Sequence, residues 1–306
     1  MHIKTLRVLL ILATSCLAIG CNNKQHRTNV SAGPPNGSLE LEGELAYRNL
    51  LDHEDAVGIS GSCWDGSSRW LIPETNSRLL RVDRNSRVES FALEGIPPEH
   101  DLEGLACDAD RFYISTETDT VGRTQDRVLV VEIVEGIGRV VDTLVLPYPA
   151  PMKAGVNQGL EGLCLAGDWL IAAGEILRTT DAGVRQAPVL RHKLGGNNTY
   201  LHWVNLSSRT GKISGLDCRE RGGIIEVFAV ERHYEVSRVL QFELSDAPSK
   251  AHTIVDLADM IRETENFESI VVDERGRVWL SNDNQYKTIT GPSEETVLQP
   301  IPAFAH

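Results

Sequence analysis

The chain lacks the short motifs that would name a reaction outright. Gly58-Ile59-Ser60-Gly61-Ser62 does not complete a G-x-S-x-G elbow. There is no P-loop, no H-E-x-x-H and no dinucleotide fingerprint. A serine triad on an elbow, a P-loop nucleotidase, a zincin and a nicotinamide enzyme are therefore unsupported. The apolar run Val8 to Ile19 is too short to cross a bilayer. Helical patterning is scarce, with one short turn expected at Asp259 to Glu265. Residues 1–38 contain no acid, although the whole chain carries a formal net charge of −13.

That acid-free start reads as processing rather than fold. Lys4 and Arg7 precede the apolar run, as in a signal peptide. The run ends in Leu17-Ala18-Ile19-Gly20-Cys21, which resembles a bacterial lipobox. The resemblance implies cleavage before Cys21 and its lipidation; the alternative is a plain secretory signal that leaves Cys21 a free thiol. Asn22, rather than Asp, follows the cysteine and by the same resemblance directs the protein to the outer membrane, facing the periplasm or the cell surface. Residues 1–20 are thus read as signal, 21–38 as lipidated cysteine and flexible tether, and 39–306 as one domain. Losing Lys4, Arg7, Lys24 and Arg27 takes the charge of that domain to −17. Such a surface repels nucleic acid; its only membrane contact is expected through the anchor. A monomer is expected.

What the domain does have is a phrase written five times. It reads Ile59-Ser60-Gly61, Leu102-Glu103-Gly104, Leu160-Glu161-Gly162, Ile213-Ser214-Gly215 and Phe267-Glu268-Ser269, at spacings of 43, 58, 53 and 54 residues. Behind the second copy lie four strand-like runs, 104–107, 111–115, 127–134 and 139–146. Four antiparallel strands at this period predict an all-β chain, a β-propeller of four-stranded blades. Five blades are expected, with six as the alternative. The last copy is one strand short, and Leu39 to Leu50 is predicted to supply it. That closure would remove the exposed sheet edges.

The repeat also places acids. Glu103, Glu161 and Glu268 share one position with Ser60 and Ser214. A second tier, at the end of each second strand, holds Glu74, Glu117, Glu175, Glu231 and Asp283. Innermost strands line a propeller channel, so these acids are expected near one axis. Like charges so close must be partly protonated or share a cation. Oxygen donors favour Ca²⁺, with Glu103, Glu161, Glu268, Glu117 and Glu175 as candidate ligands. The alternative is that they cap strand ends. Asn282-Asp283-Asn284-Gln285-Tyr286-Lys287 is an unusually polar strand end, readable also as an Asx-rich turn.

Cys63 and Cys164 lie three residues after their repeat position, Cys107 and Cys218 four after theirs. Alternation sends the two kinds to opposite faces. Disulfides Cys63–Cys107 and Cys164–Cys218 between blades are predicted, against the alternative of four buried thiols.

The phrases Ile213-Ser214-Gly215-Leu216-Asp217, Val230-Glu231-Arg232, Asn266-Phe267-Glu268 and Asp283-Asn284 resemble the "esterase-like activity of phytase" domain, a bacterial secreted propeller group. The resemblance runs over most of 39–306 and is clearest from Lys212 onward. It implies a Ca²⁺-aided hydrolase of small phosphate or carboxylic esters. In that role a carboxylate, Glu231 or Asp283, would take a proton from water; Arg232, His233 and Lys287, which lie next to repeat acids, are the candidates to bind phosphate, the alternative being solvent-facing charges or local salt bridges. Ser269 departs from the family's Gly, and Ser60 stands where an acid is expected. The Glu-Gly pairs are also similar to those of gluconolactonase and paraoxonase propellers. The competing reading is a non-catalytic propeller lipoprotein that binds a protein or glycan.

Overall fold

The computed structural model describes residues 41–49, 58–74, 76–233, 236–244, 249–257, 266–283 and 294–300, the first and last of these by backbone alone. The expected turn at Asp259 to Glu265, Lys287, Cys21 and residues 1–38 lie outside these. The described residues are strands, turns and bends, without helix.

The strands fall into successive four-stranded antiparallel meanders. The first comprises Ile59–Trp64, Arg69–Pro73, Arg78–Val82 and Val88–Glu94. The second comprises Asp101–Asp108, Arg111–Glu117, Gln125–Val134 and Ile137–Pro147, the third Leu160–Ala166, Trp169–Gly174, Arg185–Lys193 and Thr199–Asn205. The fourth runs through Lys212–Arg221, Ile224–His233, Val236–Leu244 and His252–Asp256. The last holds Phe267–Val272, Val278–Asn282 and Glu294–Pro300, and its fourth strand is Leu41–Asn49 from the other end of the chain. Leu41 pairs with Pro300 and Asn49 with Glu294, so the expected N-terminal strand closes the last sheet. A two-residue parallel pairing at Leu93 and Gly138 joins the first two meanders edge to edge.

Local chemistry explains the meanders. Val128 to Val134 is a β-branched and aliphatic run that suits a pleated surface. It turns back through Glu135 and Gly136, both at positive φ (55° and 80°), the geometry that matches strand twist in a tight hairpin.

Alternation then builds the core. Phe112 and Ile114 pack toward the first meander, whereas Tyr113 between them packs toward the third. Leu170 and Ala172 join the second meander's cluster, and Ile171 and Ala173 join the fourth's. Each sheet is thus apolar on both faces and is sandwiched between neighbours, which is why these strands read as near-continuous apolar runs.

The first strands of the meanders touch one another in turn. Ile59–Trp64 meets Asp101–Asp108, which meets Leu160–Ala166, then Lys212–Arg221, then Phe267–Val272, which returns to Ile59–Trp64. The repeat glycine is what permits this ring. A Cβ on Gly104 would stand 2.5 Å from the Glu161 carbonyl oxygen, one on Gly162 2.7 Å from the Leu216 nitrogen, and one on Gly215 2.6 Å from the Glu268 carbonyl oxygen. Only glycine lets backbone approach backbone so closely. Ser269 takes this place in the last meander; its hydroxyl is buried with no hydrogen bond among the described residues.

Both predicted disulfides are present, with Cα separations of 5.9 Å for Cys63–Cys107 and 5.6 Å for Cys164–Cys218. They occupy two of five equivalent seams between first strands. At another, the half-buried Asp217 carboxylate accepts the Val272 N–H at 2.6 Å. Burial pushes that carboxyl up to about 6, against the two backbone N–H bonds that hold it down. At the seam between last and first meanders, Val271 and Trp64 pack together with Trp279. One position in the repeat is therefore filled by a covalent, a polar or an apolar bond according to the seam.

Candidate functional site

The pairing register breaks in every first strand at the repeat phrase, between Ile59 and Gly61, Leu102 and Leu105, Leu160 and Gly162, Ile213 and Gly215, and Phe267 and Ser269. The extra residue of such a bulge is released from the ladder and its side chain re-aimed. Those residues are Ser60, Glu103, Glu161, Ser214 and Glu268, so the bulge presents the first tier.

The second tier is fixed by the same pairing. Pro73, Thr116, Gly174, Glu231 and Asn282 sit opposite the first apolar residue of each phrase. The next residue along is the tier itself: Glu74, Glu117, Glu175, Arg232 and Asp283. Glu231 is therefore displaced by one from the expected place. Its fully buried carboxylate turns to the loop at Ser207 and Ser208, accepting both hydroxyls and the Ser208 N–H at 3.1 Å. The cause is the longer first hairpin of the fourth meander, whose strand reaches Arg221 before turning at Gly222 and Gly223. A slip of one residue exchanges faces. His233 is a half-buried strand end whose pKa is lowered by burial and by the Arg185, Arg232 and Lys212 charges.

The fourth meander thus brings cations where the others bring acids. Arg232 forms an ion pair with Glu268 and lies within electrostatic reach of Glu161, Asp283 and Glu103. Burial lowers its pKa. Lys212, paired across the strands with Arg232, reaches the other way, to Glu175 and to Glu161 at 3.5 Å. Asn266 holds Asp283 through its amide at 3.1 Å. Sequence reasoning missed Lys212, although it precedes a repeat phrase at the place of Gly58, Asp101, Gly159 and Asn266.

Burial, and next the charges of Glu161, Glu117 and Glu74, push the Glu103 carboxyl well up. Glu117 is pushed up to about 8, by burial first and then by Glu161, while Arg123 and Lys212 oppose the shift. Its Oε1 has no hydrogen-bond partner among the described residues. Glu117 thus keeps its proton at neutral pH, with Glu161 among its neighbours.

The five carboxylates expected to hold Ca²⁺ do not fit one ligand set. Among the described residues no group of three or more His, Cys, Asp or Glu is disposed to hold a metal ion. Lys212 and Arg232 are instead ion-paired to Glu161, Glu175 and Glu268.

A polar cavity of about 1000 Å³ is lined by His100, Asp101, Thr116, Thr118, Arg123 and Asp126 among others, with Glu117 behind its Arg123 wall. Arg123 braces its wall, donating to Asp126 at 2.8 Å and to the Gln158 carbonyl at 2.6 Å, with Glu117 at 3.9 Å. Tyr148 donates its hydroxyl to Asp126. The His100 Nδ1 is buried with no hydrogen bond among the described residues. None of these side chains lies on the repeat phrase, so no periodic signal marks them.

A family model described as "Phytase-like: Esterase-like activity of phytase" matches residues 82–286. No curated protein matches in sequence. Among solved structures the fold is similar to the GH43_1 enzyme from Xanthomonas citri complexed with xylose, at 13% identity and a TM-score of 0.52, covering 84% of this chain and 90% of that one. Myxococcus xanthus glutaminyl cyclase aligns at 16% identity and a TM-score of 0.48, covering 86% and 99%. A gluconolactonase from Xanthomonas campestris aligns at 12% and 0.47, covering 86% and 91%.

Proposed function

We propose a function from this premise: the chain belongs to the phytase-like family described as esterase-like activity of phytase. It is a monomeric, extracytoplasmic, five-bladed propeller hydrolase that cleaves carboxylic esters where the acids converge. The meanders and the ring of first strands support five blades over six.

The observation that carries the reading is Glu117, a buried carboxyl held protonated to about pH 8, whose neighbours Thr116 and Thr118 and ion-pair partner Arg123 line a large polar cavity. A carboxyl held protonated beside a second carboxylate can act as the proton donor of an acid–base pair. Glu161 takes a proton from water as the oxygen adds to the ester carbonyl carbon. The carbon–oxygen bond then breaks, and Glu117 protonates the leaving alkoxide. Transfer of the gained proton from Glu161 back to Glu117 restores the starting state. Lys212 and Arg232 supply positive charge for the oxyanion that forms in between.

A phosphate ester suits the site less well, because its carboxylates outnumber Lys212 and Arg232. That branch of the reading requires an added cation such as Ca²⁺ to offset the repulsion. A second reading, the non-catalytic binding module, draws on the same ion pairs, which already satisfy part of the cluster.

One assay separates the three. The purified protein is given p-nitrophenyl butyrate and p-nitrophenyl phosphate, each with Ca²⁺ and with a chelator. Carboxylic-ester turnover that survives the chelator is expected. Turnover of the phosphate ester alone, and only with Ca²⁺, would move the assignment to a phosphatase. No turnover in any arm leaves the binding module.

The lipid anchor and its outer-membrane location rest on the resemblance at Cys21. The intact mass of the mature protein is expected to begin at Cys21 with added acyl chains. An unmodified thiol there would make the segment a plain secretory signal.

A further inference from the structure

At the far end of the first strands from the acids, the seam between the first and last meanders carries a second, oppositely charged site. A cavity of about 140 Å³ lies between the hairpin turns at Asp65 to Ser68 and Asp273 to Arg277. Arg69, Arg84, Arg275 and Arg277 line it with Trp64 and Trp279, and Glu274 is the one acidic lining residue among the described residues. Buried Arg69 stacks on the Trp279 ring with its guanidinium carbon 3.6 Å from the centroid, and Arg277 approaches the same ring at 5.1 Å.

Nearby Asp273 is spent on its own turn. It accepts the Arg275 and Arg277 backbone N–H groups, the Trp279 indole N–H and the Arg277 Nε. Arg84 reaches Glu274 at 3.4 Å and the Gly66 carbonyl at 3.0 Å, and its side chain stays largely exposed. Of the described lining side chains four are guanidinium groups and one is a carboxylate, while Asp65 and Asp273 are taken up by their own turns. The rest of the domain is strongly acidic, so like charges gathered here are not explained by the surface composition. Guanidinium groups fork onto tetrahedral oxyanions, and indoles hold them flat and part-desolvated while they do so.

We infer that this cavity binds a phosphate-type oxyanion, either as free phosphate or as the headgroup of an anionic lipid. Arg84 and Arg275 contact the anion, and Trp279 and Trp64 position the cluster. The site is independent of the acid cluster.

Phosphate binding to the full-length protein is measured by calorimetry at constant ionic strength, with chloride as control. Sedimentation with phosphatidylglycerol vesicles, against phosphatidylcholine, forms the second arm. Saturable phosphate binding is expected, weakened about tenfold or more in Arg84→Ala/Arg275→Ala, with ester turnover unchanged. If vesicle binding falls in the same variant, the headgroup is a source; if only phosphate binding falls, free phosphate is. No phosphate binding, or binding that the double variant leaves intact, overturns the site. Because both substituted side chains are remote from Glu117 and partly exposed, loss of ester turnover and loss of anion binding are distinguishable failures.

Discussion

Arg232→Met is expected to cost about 3–5 kcal/mol of stability, because removing one partner of a buried ion pair strands the other's charge. In a domain of this size that is a fall in Tm of about 10 °C. The guanidinium pairs with Glu268 and feels Glu161, Asp283 and Glu103, so its loss leaves several carboxylates facing one another. Their proton affinities should rise further in the variant. An acid whose affinity is raised in the folded state contributes stability that is present at low pH and lost as pH rises. The deficit should therefore be full near pH 8 and shrink as pH falls toward the ordinary carboxylate range. Arg232→Lys, which keeps the charge without the fork, should recover part of the loss. Thermal melts of the three proteins from pH 5 to pH 8 check this. A pH-independent deficit, or one below about 1 kcal/mol, would show that Arg232 does not compensate the acids.

Glu117→Gln is expected to lower ester turnover by about 10²- to 10⁴-fold, the usual worth of a positioned proton donor. The wild-type rate should decline as pH passes about 8, where Glu117 gives up its proton. In the variant that alkaline limb should vanish. Stability should move the opposite way. The folded carboxyl holds its proton more tightly than the unfolded one, so ionised Glu117 opposes folding at alkaline pH. The neutral amide has no such penalty, and above pH 8 the variant should melt no lower than the parent. A less active protein that is at least as stable separates catalysis from folding damage. Unchanged turnover would remove Glu117 from the mechanism and return weight to the binding module.

Both experiments turn on residues that the sequence treats unequally. Glu117 is visible in the repeat, because an acid recurs after each second strand and strand alternation has a period of two. Arg232 could be named as a candidate but not placed. The fourth copy's hairpin is longer, and nothing local says whether Glu231 or Arg232 continues the tier. Pairing Ile213 with Glu231 resolved it, and the single-residue shift exchanged an acid for a cation. Lys212 was legible only as the residue before a phrase, since its role depends on reaching across to Glu161 and Glu175 in the preceding meander.

The repeat period, the missing strand returned from the N-terminus and both disulfide pairings followed from the sequence alone. Each depends only on counting residues along regular strands, where geometry is set by the backbone. The phrase's glycine, its bulge and the acid it re-aims needed the assembled ring. A glycine is demanded only where another strand's backbone stands within 2.4 to 2.7 Å of the absent Cβ, and that neighbour lies some fifty residues away. Which acids stay protonated, and which are held by Lys212 or Arg232, is likewise a matter of burial and of distance between meanders. Those quantities belong to packing, and no spacing within one copy contains them.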